Sequence, residues 1–384
     1  MVRTPVYMDY HSTTPCDPRV VDAMLPFFSH HYGNASSKGH FFGWQAAEAV
    51  RIAREEVAAL IHSEPGEIVF TSGATESINL SLKGIYEMFS SRGKHLITVA
   101  TEHRAVLDTV AHLEKMGAEV SILPVKSDGL IDTAELESAI RPDTQLISVM
   151  YANNETGVIQ PVGEIGRIAK DHGVLFFCDA TQALGKVPVD VMEDGIDLMA
   201  GSAHKFYGPK GAGFLYVRRK NPRVRLIAQQ DGGGQEKELR SGTLNVPGIV
   251  GLGRAAALAG TEMMKTMEKI RALRDRLETA ILDSGEARLN GHADLRLSTV
   301  SNLSFGSAGR GLLEKLQKDV AVSSGSACNS ASLEPSHVLR AMGLGDDQAY
   351  HSIRFSLGKF NTEDDIDFVL ERVKENLRSE NLKT

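Results

Sequence analysis

Between residues 44 and 217 short apolar runs recur, and most are separated by amphipathic stretches of helical period. Strand-like runs fall at 67–71, 95–100, 119–123, 145–150, 174–178, 196–200 and 212–217, and helix-like stretches at 44–61, 76–89, 104–116 and 162–172. Strands alternating with helices predict an α/β domain whose mostly parallel sheet is covered on both faces. Ligands of such sheets gather at the carboxyl ends of the strands. Near residue 248 the pattern changes to a long helical region reaching 285. After it come strand-like 299–305, helix-like 310–318, a small-residue loop at 323–333, a short helix from Pro335 to Met342, a strand at 351–356 and a helix from 362. This predicts a large domain over 15–255 and a smaller α+β domain made of 1–14 with 256–384.

Composition narrows the class. A net charge of −7 argues against a chain that coats nucleic acid. No apolar run approaches the roughly 18–20 residues of a membrane span. The start, Met1-Val2-Arg3-Thr4-Pro5, lacks a secretion-signal core, so a cytoplasmic enzyme is expected. Cys16, Cys178 and Cys328 form no CxxC pair, so neither a disulfide framework nor a metal site is predicted. Gly251-Leu252-Gly253-Arg254-Ala255-Ala256 matches a dinucleotide fingerprint, but it follows no strand and reads as close helix packing.

The polar residues cluster where apolar runs end. Ser72-Gly73-Ala74-Thr75-Glu76 follows a strand and opens a helix, which suits a phosphate cradle or, equally, an ordinary N-cap at Thr75. Asp179 closes the run 174–178 and is followed by Gln182; a carboxylate there can hold a pyridinium N–H or merely cap a helix. Ser202, His204 and Lys205 close the next run, and Lys205 gains interest from that position alone, because a lone lysine is usually solvated. A lysine for a Schiff base, an acid for the ring nitrogen and polar groups for a phosphate are the parts of a pyridoxal 5'-phosphate (PLP) site. His103, after the run 95–100, can stack on a ring and move protons, or can be a surface histidine in a first helical turn. Cys328, in Ser323-Ser324-Gly325-Ser326-Ala327-Cys328, has no bulky neighbours, which suits a nucleophilic thiol; Cys178 and Cys16 read as small hydrophobes.

In this order the motifs resemble those of the cysteine desulfurases of the iron–sulfur-cluster and nitrogen-fixation type, PLP enzymes of the class-V aminotransferase family. The matching segments are Thr71 to Ser77, Thr101-Glu102-His103, Asn153-Asn154-Glu155, Asp179 to Gln182, His204-Lys205, Arg240-Ser241-Gly242-Thr243, Ser323 to Cys328 and Arg354 to Gly358. They run over nearly the whole chain. Ala203 stands where glycine is usual in the family, and Asn329 where threonine is common.

The resemblance implies the aspartate-aminotransferase fold (fold type I). It implies that Lys205 anchors PLP covalently, that Asp179 pairs with its ring nitrogen, that Gln182 contacts its phenolate oxygen and that His103 stacks on it. Ala74, Thr75, Ser202 and His204 would hold the phosphate, with Thr243 reaching the cofactor of the neighbouring subunit of a homodimer. Asn34, Asn154 and Arg354 would orient L-cysteine. The implied activity converts L-cysteine to L-alanine and leaves a persulfide on Cys328, for delivery to an iron–sulfur scaffold or another sulfur acceptor. Many relatives extend beyond the point where this sequence ends, with a segment that docks the scaffold. Rival readings are a selenocysteine lyase or a transaminase on the same fold, and a non-catalytic scaffold that retains it.

Overall fold

The computed structural model describes residues 2, 4–91, 93–305, 309, 311–324 and 335–381, the last four as backbone only. Near the N-terminus lies the short strand β1 (Val6–Tyr7). Strands β2 (Ile68–Thr71), β3 (His95–Val99), β4 (Glu119–Leu123), β5 (Thr144–Ser148), β6 (Leu175–Asp179), β7 (Leu198–Ser202) and β8 (Gly213–Val217) form one sheet, ordered β2-β8-β7-β6-β5-β3-β4. From β7 to β4 all neighbours are parallel. Only β8 is reversed, pairing antiparallel with β2 and β7. The reason is its connection: 203–212 holds one turn of 3-10 helix and no crossover helix, so the chain can only double back.

Alternation along β6 explains why its sequence reads as continuously apolar. Phe176 and Cys178 enter the core on one face, with Phe70, Phe214 and Tyr216; Phe177 enters the core on the other, with Val69, Leu198 and Leu215. Each fully buried aromatic contributes roughly 1.5–3 kcal/mol. The first face is covered by helices Phe41–Leu60 and Val246–Leu282, the second by Ala74–Phe89 and Arg104–Lys115.

Helix Val246–Leu282 serves both parts of the molecule. Its N-cap Asn245 accepts from the Gly248 N–H, and its early residues Ile249, Leu252, Ala255 and Ala256 join the large core. Met267, Ile270, Leu273, Leu277 and Ile281 belong to a second core. The proposed division at 255/256 therefore falls inside a continuous helix. The second core covers a sheet ordered β12-β13-β10-β9, formed by β9 (Arg288–Leu289), β10 (Val300–Ser304), β12 (Ser323–Ser324) and β13 (Ser352–Ser356). Strand β1 pairs parallel with β11 (Val320–Ala321), which ties the N-terminus to this second unit. Among the described residues no helix is long and apolar enough to cross a membrane.

Gly251 and Gly253 serve helix packing. A Cβ on Gly253 would lie 2.5 Å from Ala53 Cα on helix Phe41–Leu60, and one on Gly251 would lie 2.5 Å from Met24 Sδ. Gly253→Ala should therefore lower unfolding free energy by about 1–3 kcal/mol in denaturant titration, although alanine is the better helix former by about 1 kcal/mol. An unchanged or raised midpoint would contradict this packing.

Candidate active site

β2, β3, β5, β6 and β7 all point their carboxyl ends at one cavity of about 490 Å³. Its walls include Gly73, Ala74, Thr75, His103, Asn154, Asp179, Gln182, Ser202, His204, Lys205 and Arg354. The fold thus brings together all but three of the residues singled out from the sequence. Asn34 and Thr243 are exposed and are not among the residues that line the cavity. Cys328 lies outside the described residues.

At one end of the cavity stands the N-terminus of helix Ala74–Phe89. The N-cap is Gly73, not Thr75, and no side chain caps it. Gly73 has φ +156°, which a residue bearing Cβ rarely adopts. Ser202 Oγ lies 3.6 Å from the position a Cβ on Gly73 would take. Uncapped backbone N–H groups, the helix dipole and a hydroxyl make a cradle for an anion. Glu76 in the first turn also lines the cavity and is paired with Arg240 at 2.7 Å. Burial alone would raise the Glu76 pKa, but Arg240 and the Ser72 N–H hold it below its ordinary value.

Lys205 Nζ donates to the carbonyls of His11 (2.6 Å) and Ser12 (2.9 Å). Gln182 Nε2 donates to the same His11 carbonyl at 2.9 Å. Asp179 Oδ1 accepts from the Thr181 N–H, closing a tight turn after β6. His103 caps helix Arg104–Lys115: its Nδ1 accepts from the Ala105 N–H at 3.1 Å, so the neutral ring carries its proton on Nε2. Burial, with Lys205 adding to it, lowers the His103 pKa against the opposing charge of Asp179. Burial also lowers His204, to about 4, and its Nδ1 faces Thr13 Oγ1 at 3.1 Å. Both rings are therefore neutral at neutral pH.

Arg354 is 2% exposed and held from three sides. Nη1 donates to the Asn154 carbonyl (2.9 Å), and Nη2 donates to Asp9 Oδ1 (2.7 Å) and Ser12 Oγ (2.8 Å). Its Nε has no partner, nor have Asn154 Oδ1 and Thr181 Oγ1, although all three are buried. Unpaired buried polar atoms are costly, and these three belong to residues lining one cavity. Three unpaired polar atoms, an anion cradle, a lysine and an acid match a ligand that combines a phosphate, an aldehyde, a ring nitrogen and a bound carboxylate. The residues fit PLP with an amino acid.

Sequence reasoning missed the N-terminal contribution. The His11 ring, fully buried, joins the Asn154 carbonyl (3.1 Å) to Thr299 Oγ1 (2.8 Å), while its own carbonyl serves Lys205 and Gln182. Burial, reinforced by Lys186 and Arg354, pushes its pKa well down. The only signal was a polar run, Asp9 to Thr14, just after β1. Among the described residues no group of three or more His, Cys, Asp or Glu side chains is placed to hold a metal ion. Cys178 is fully buried, and Cys16 is half-buried against the large core, with burial raising the pKa of each thiol.

The model of the aminotransferase class-V family matches residues 6–369. The chain belongs to the class-V aminotransferases, in the cysteine desulfurase branch. It is 57% identical over 379 residues to the cysteine desulfurase IscS of Anaeromyxobacter sp. (strain Fw109-5), covering 98% of this chain and 93% of that one. Identity to the cysteine desulfurase IscS of Escherichia coli O139:H28 is 52% over 379 residues, with the same coverage. Among solved structures, a NifS-like protein matches with TM-score 0.90 at 38% identity, over 98% of this chain and all of that one. SspA in complex with cysteine matches with TM-score 0.83 at 38% identity, over 93% of this chain and all of that one. Class-V aminotransferases of this branch depend on PLP, which agrees with the fit of the cavity.

Beside the cavity, the Asn153–Glu155 turn joins the two units. Asn153 Oδ1 accepts from the N–H groups of Glu155 and Thr156, and buried Glu155 Oε2 accepts from Ser336 Oγ at 2.5 Å. Burial raises the Glu155 pKa from 4.5 to about 7, against Ser336, Arg354 and Arg104. The folded state therefore holds one more proton than the unfolded chain between those values, and stability falls as pH rises through that window. Glu155→Gln cannot ionise. Relative to that variant, the parent should lose at most roughly 3 kcal/mol between pH 4.5 and 7.5 in denaturant titrations. Parallel pH profiles would show that Glu155 does not carry this shift.

Proposed function

We propose that this protein is a cysteine desulfurase that converts L-cysteine to L-alanine and leaves the sulfur as a persulfide on Cys328. The observation that carries the reading is the convergence of Lys205, Gln182 and Arg354 in one cavity, beside an anion cradle and Asp179. PLP bound through Lys205 supplies an electron sink that weakens the bonds at the substrate Cα. Ala74, Thr75, Ser202 and His204 would hold its phosphate in the cradle, and Asp179 would keep its ring nitrogen protonated.

Arg354, with Asn154, takes the substrate carboxylate, for which a planar guanidinium with an unengaged Nε–H is suited. Lys205 would accept the Cα proton as a neutral base in a desolvated pocket. His103 faces the cavity with Nε2–H and guides protons there. The Cys328 thiolate attacks the substrate sulfur; the C–S bond breaks as the S–S bond forms. Cysteine and the Cys328 thiol thus become alanine and a Cys328 persulfide, with no external oxidant.

The setting we propose is a cytoplasmic homodimer that passes sulfur to an iron–sulfur scaffold or another acceptor, including the makers of thio-cofactors. Support for the dimer comes from a run of exposed aromatics, Phe28 (63%), Tyr32 (65%), Phe41 (61%) and Trp44 (57%). Exposed aromatic clusters of this kind mark association surfaces. Asn34 lies in this stretch, and Thr243 is exposed as well; both fit roles delivered across an interface.

Purified protein should be coloured by PLP and should turn L-cysteine into alanine without a keto acid, which a transaminase would require. Lys205→Ala should abolish alanine formation. Cys328→Ser should still change the cofactor's visible spectrum on adding cysteine, yet form no persulfide. Near-parental turnover in either variant would remove that residue from its role. Protein that stays colourless after incubation with PLP would overturn the reading.

A further inference from the structure

Gln182 has a second neighbour that the proposed chemistry does not use. Lys186, buried in the turn that follows Asp179, donates from Nζ to the Gln182 backbone carbonyl (3.0 Å) and to Gln182 Oε1 (3.1 Å). The turn is shaped for this return. Gly185 has φ +71°, and a Cβ there would lie 2.7 Å from Phe206 Cβ, so the chain reverses tightly and sends the next side chain back over Gln182. Lys186 does not line the cavity. It stands behind Gln182.

That placement fixes which way the Gln182 amide faces. An ammonium can only donate, so the atom beside it must be Oε1; a backbone carbonyl can only accept, so the atom beside His11 must be Nε2. Turning the amide over would break both bonds and set N–H against N–H and oxygen against oxygen. Without Lys186, the His11 carbonyl alone would select the orientation, and Lys205 competes for that carbonyl at 2.6 Å. A neutral amine can still donate to Oε1 but also carries a lone pair that could accept from a flipped amide, so the lock is strict only while Lys186 is charged. Burial, followed by the charge of Lys205, brings its pKa down to about 7. The titratable groups that sense its charge are Lys205, His11 and His204.

We propose that Lys186 is a positioning residue: it locks the Gln182 amide with Nε2–H toward the cavity and so tunes the proton affinity of the Lys205–cofactor linkage. The inference rests on the PLP reading above and goes beyond it by assigning Lys186.

The test uses cofactor-loaded protein and the variants Lys186→Met, Lys186→Gln, Gln182→Ala and Lys186→Met with Gln182→Ala. Two quantities are measured: the pH midpoint of the visible band without substrate, and kcat and KM for cysteine. Lys186→Met should move the midpoint by half a unit or more, and should lower kcat by about tenfold with KM changed less than about threefold, the scale of one misplaced donor. Lys186→Gln, which keeps a donor without the charge, should recover part of both. The double variant should be no worse than Gln182→Ala, because Lys186 acts through that amide. If Lys186→Met is insoluble, Lys186→Gln and the comparison of double with single variants using Gln in place of Met carry the same test. A midpoint and kcat equal to the parent's in coloured, folded variant would overturn the inference. So would additive losses in the double variant. Failure of the PLP reading looks different: the parent itself would show no band to titrate.

Discussion

Backbone carbonyls buried away from water must find donors inside the protein. Asp9–Ser12 runs between the two cores, and the carbonyls of His11 and Ser12 are satisfied by Lys205 Nζ. Lys205 serves His11 and Ser12, Gln182 shares His11, and Arg354 grips Asp9 and Ser12 Oγ while holding the Asn154 carbonyl. The residues that do the chemistry are therefore also those that fasten the N-terminal segment. A change at Lys205 or Arg354 alters the seating of that segment as well as the reaction. Their truncation is thus a poor measure of either effect alone.

The same arrangement explains how a flexible lysine is held ready. Two carbonyl acceptors keep Nζ at one place near Gln182, and neutral His103 and His204 add no competing positive charge. When the amine is engaged elsewhere, Gln182 remains on the His11 carbonyl, so that acceptor is not left bare. Shared acceptors let the site change state without orphaning a buried group.

Much of this was legible beforehand, for physical reasons. The inner strands β6, β7 and β8 read as apolar runs, and edge strand β4 matches its expected span, 119–123, while the other expected strands of that sheet differ by one or two residues at an end. Several cavity residues were legible because they close such a run, as Asp179 ends β6 and Ser202 ends β7. Helices Pro18–Met24, Thr133–Ser138 and Asp346–Tyr350 are too short to establish a period and escaped, although the equally short His337–Ala341 was anticipated between Pro335 and Met342. The reversal of β8 escaped because strand direction depends on the connection rather than on the strand's own residues. His11 acts through a main-chain oxygen, which every residue possesses, and Lys186 looks like any lysine in a turn. Contacts such as Arg354 with Asp9 join positions at opposite ends of the chain, which no local pattern can announce.

Helix Val246–Leu282 has a bearing on how the molecule comes apart. Its 37 residues span about 55 Å in one unbroken ladder of hydrogen bonds. Because its first turns are walled in by one core and its last by the other, neither core can melt without exposing part of the shared rod. Thermal denaturation should therefore be a single cooperative event rather than two successive ones, despite the presence of three sheets and several apolar clusters.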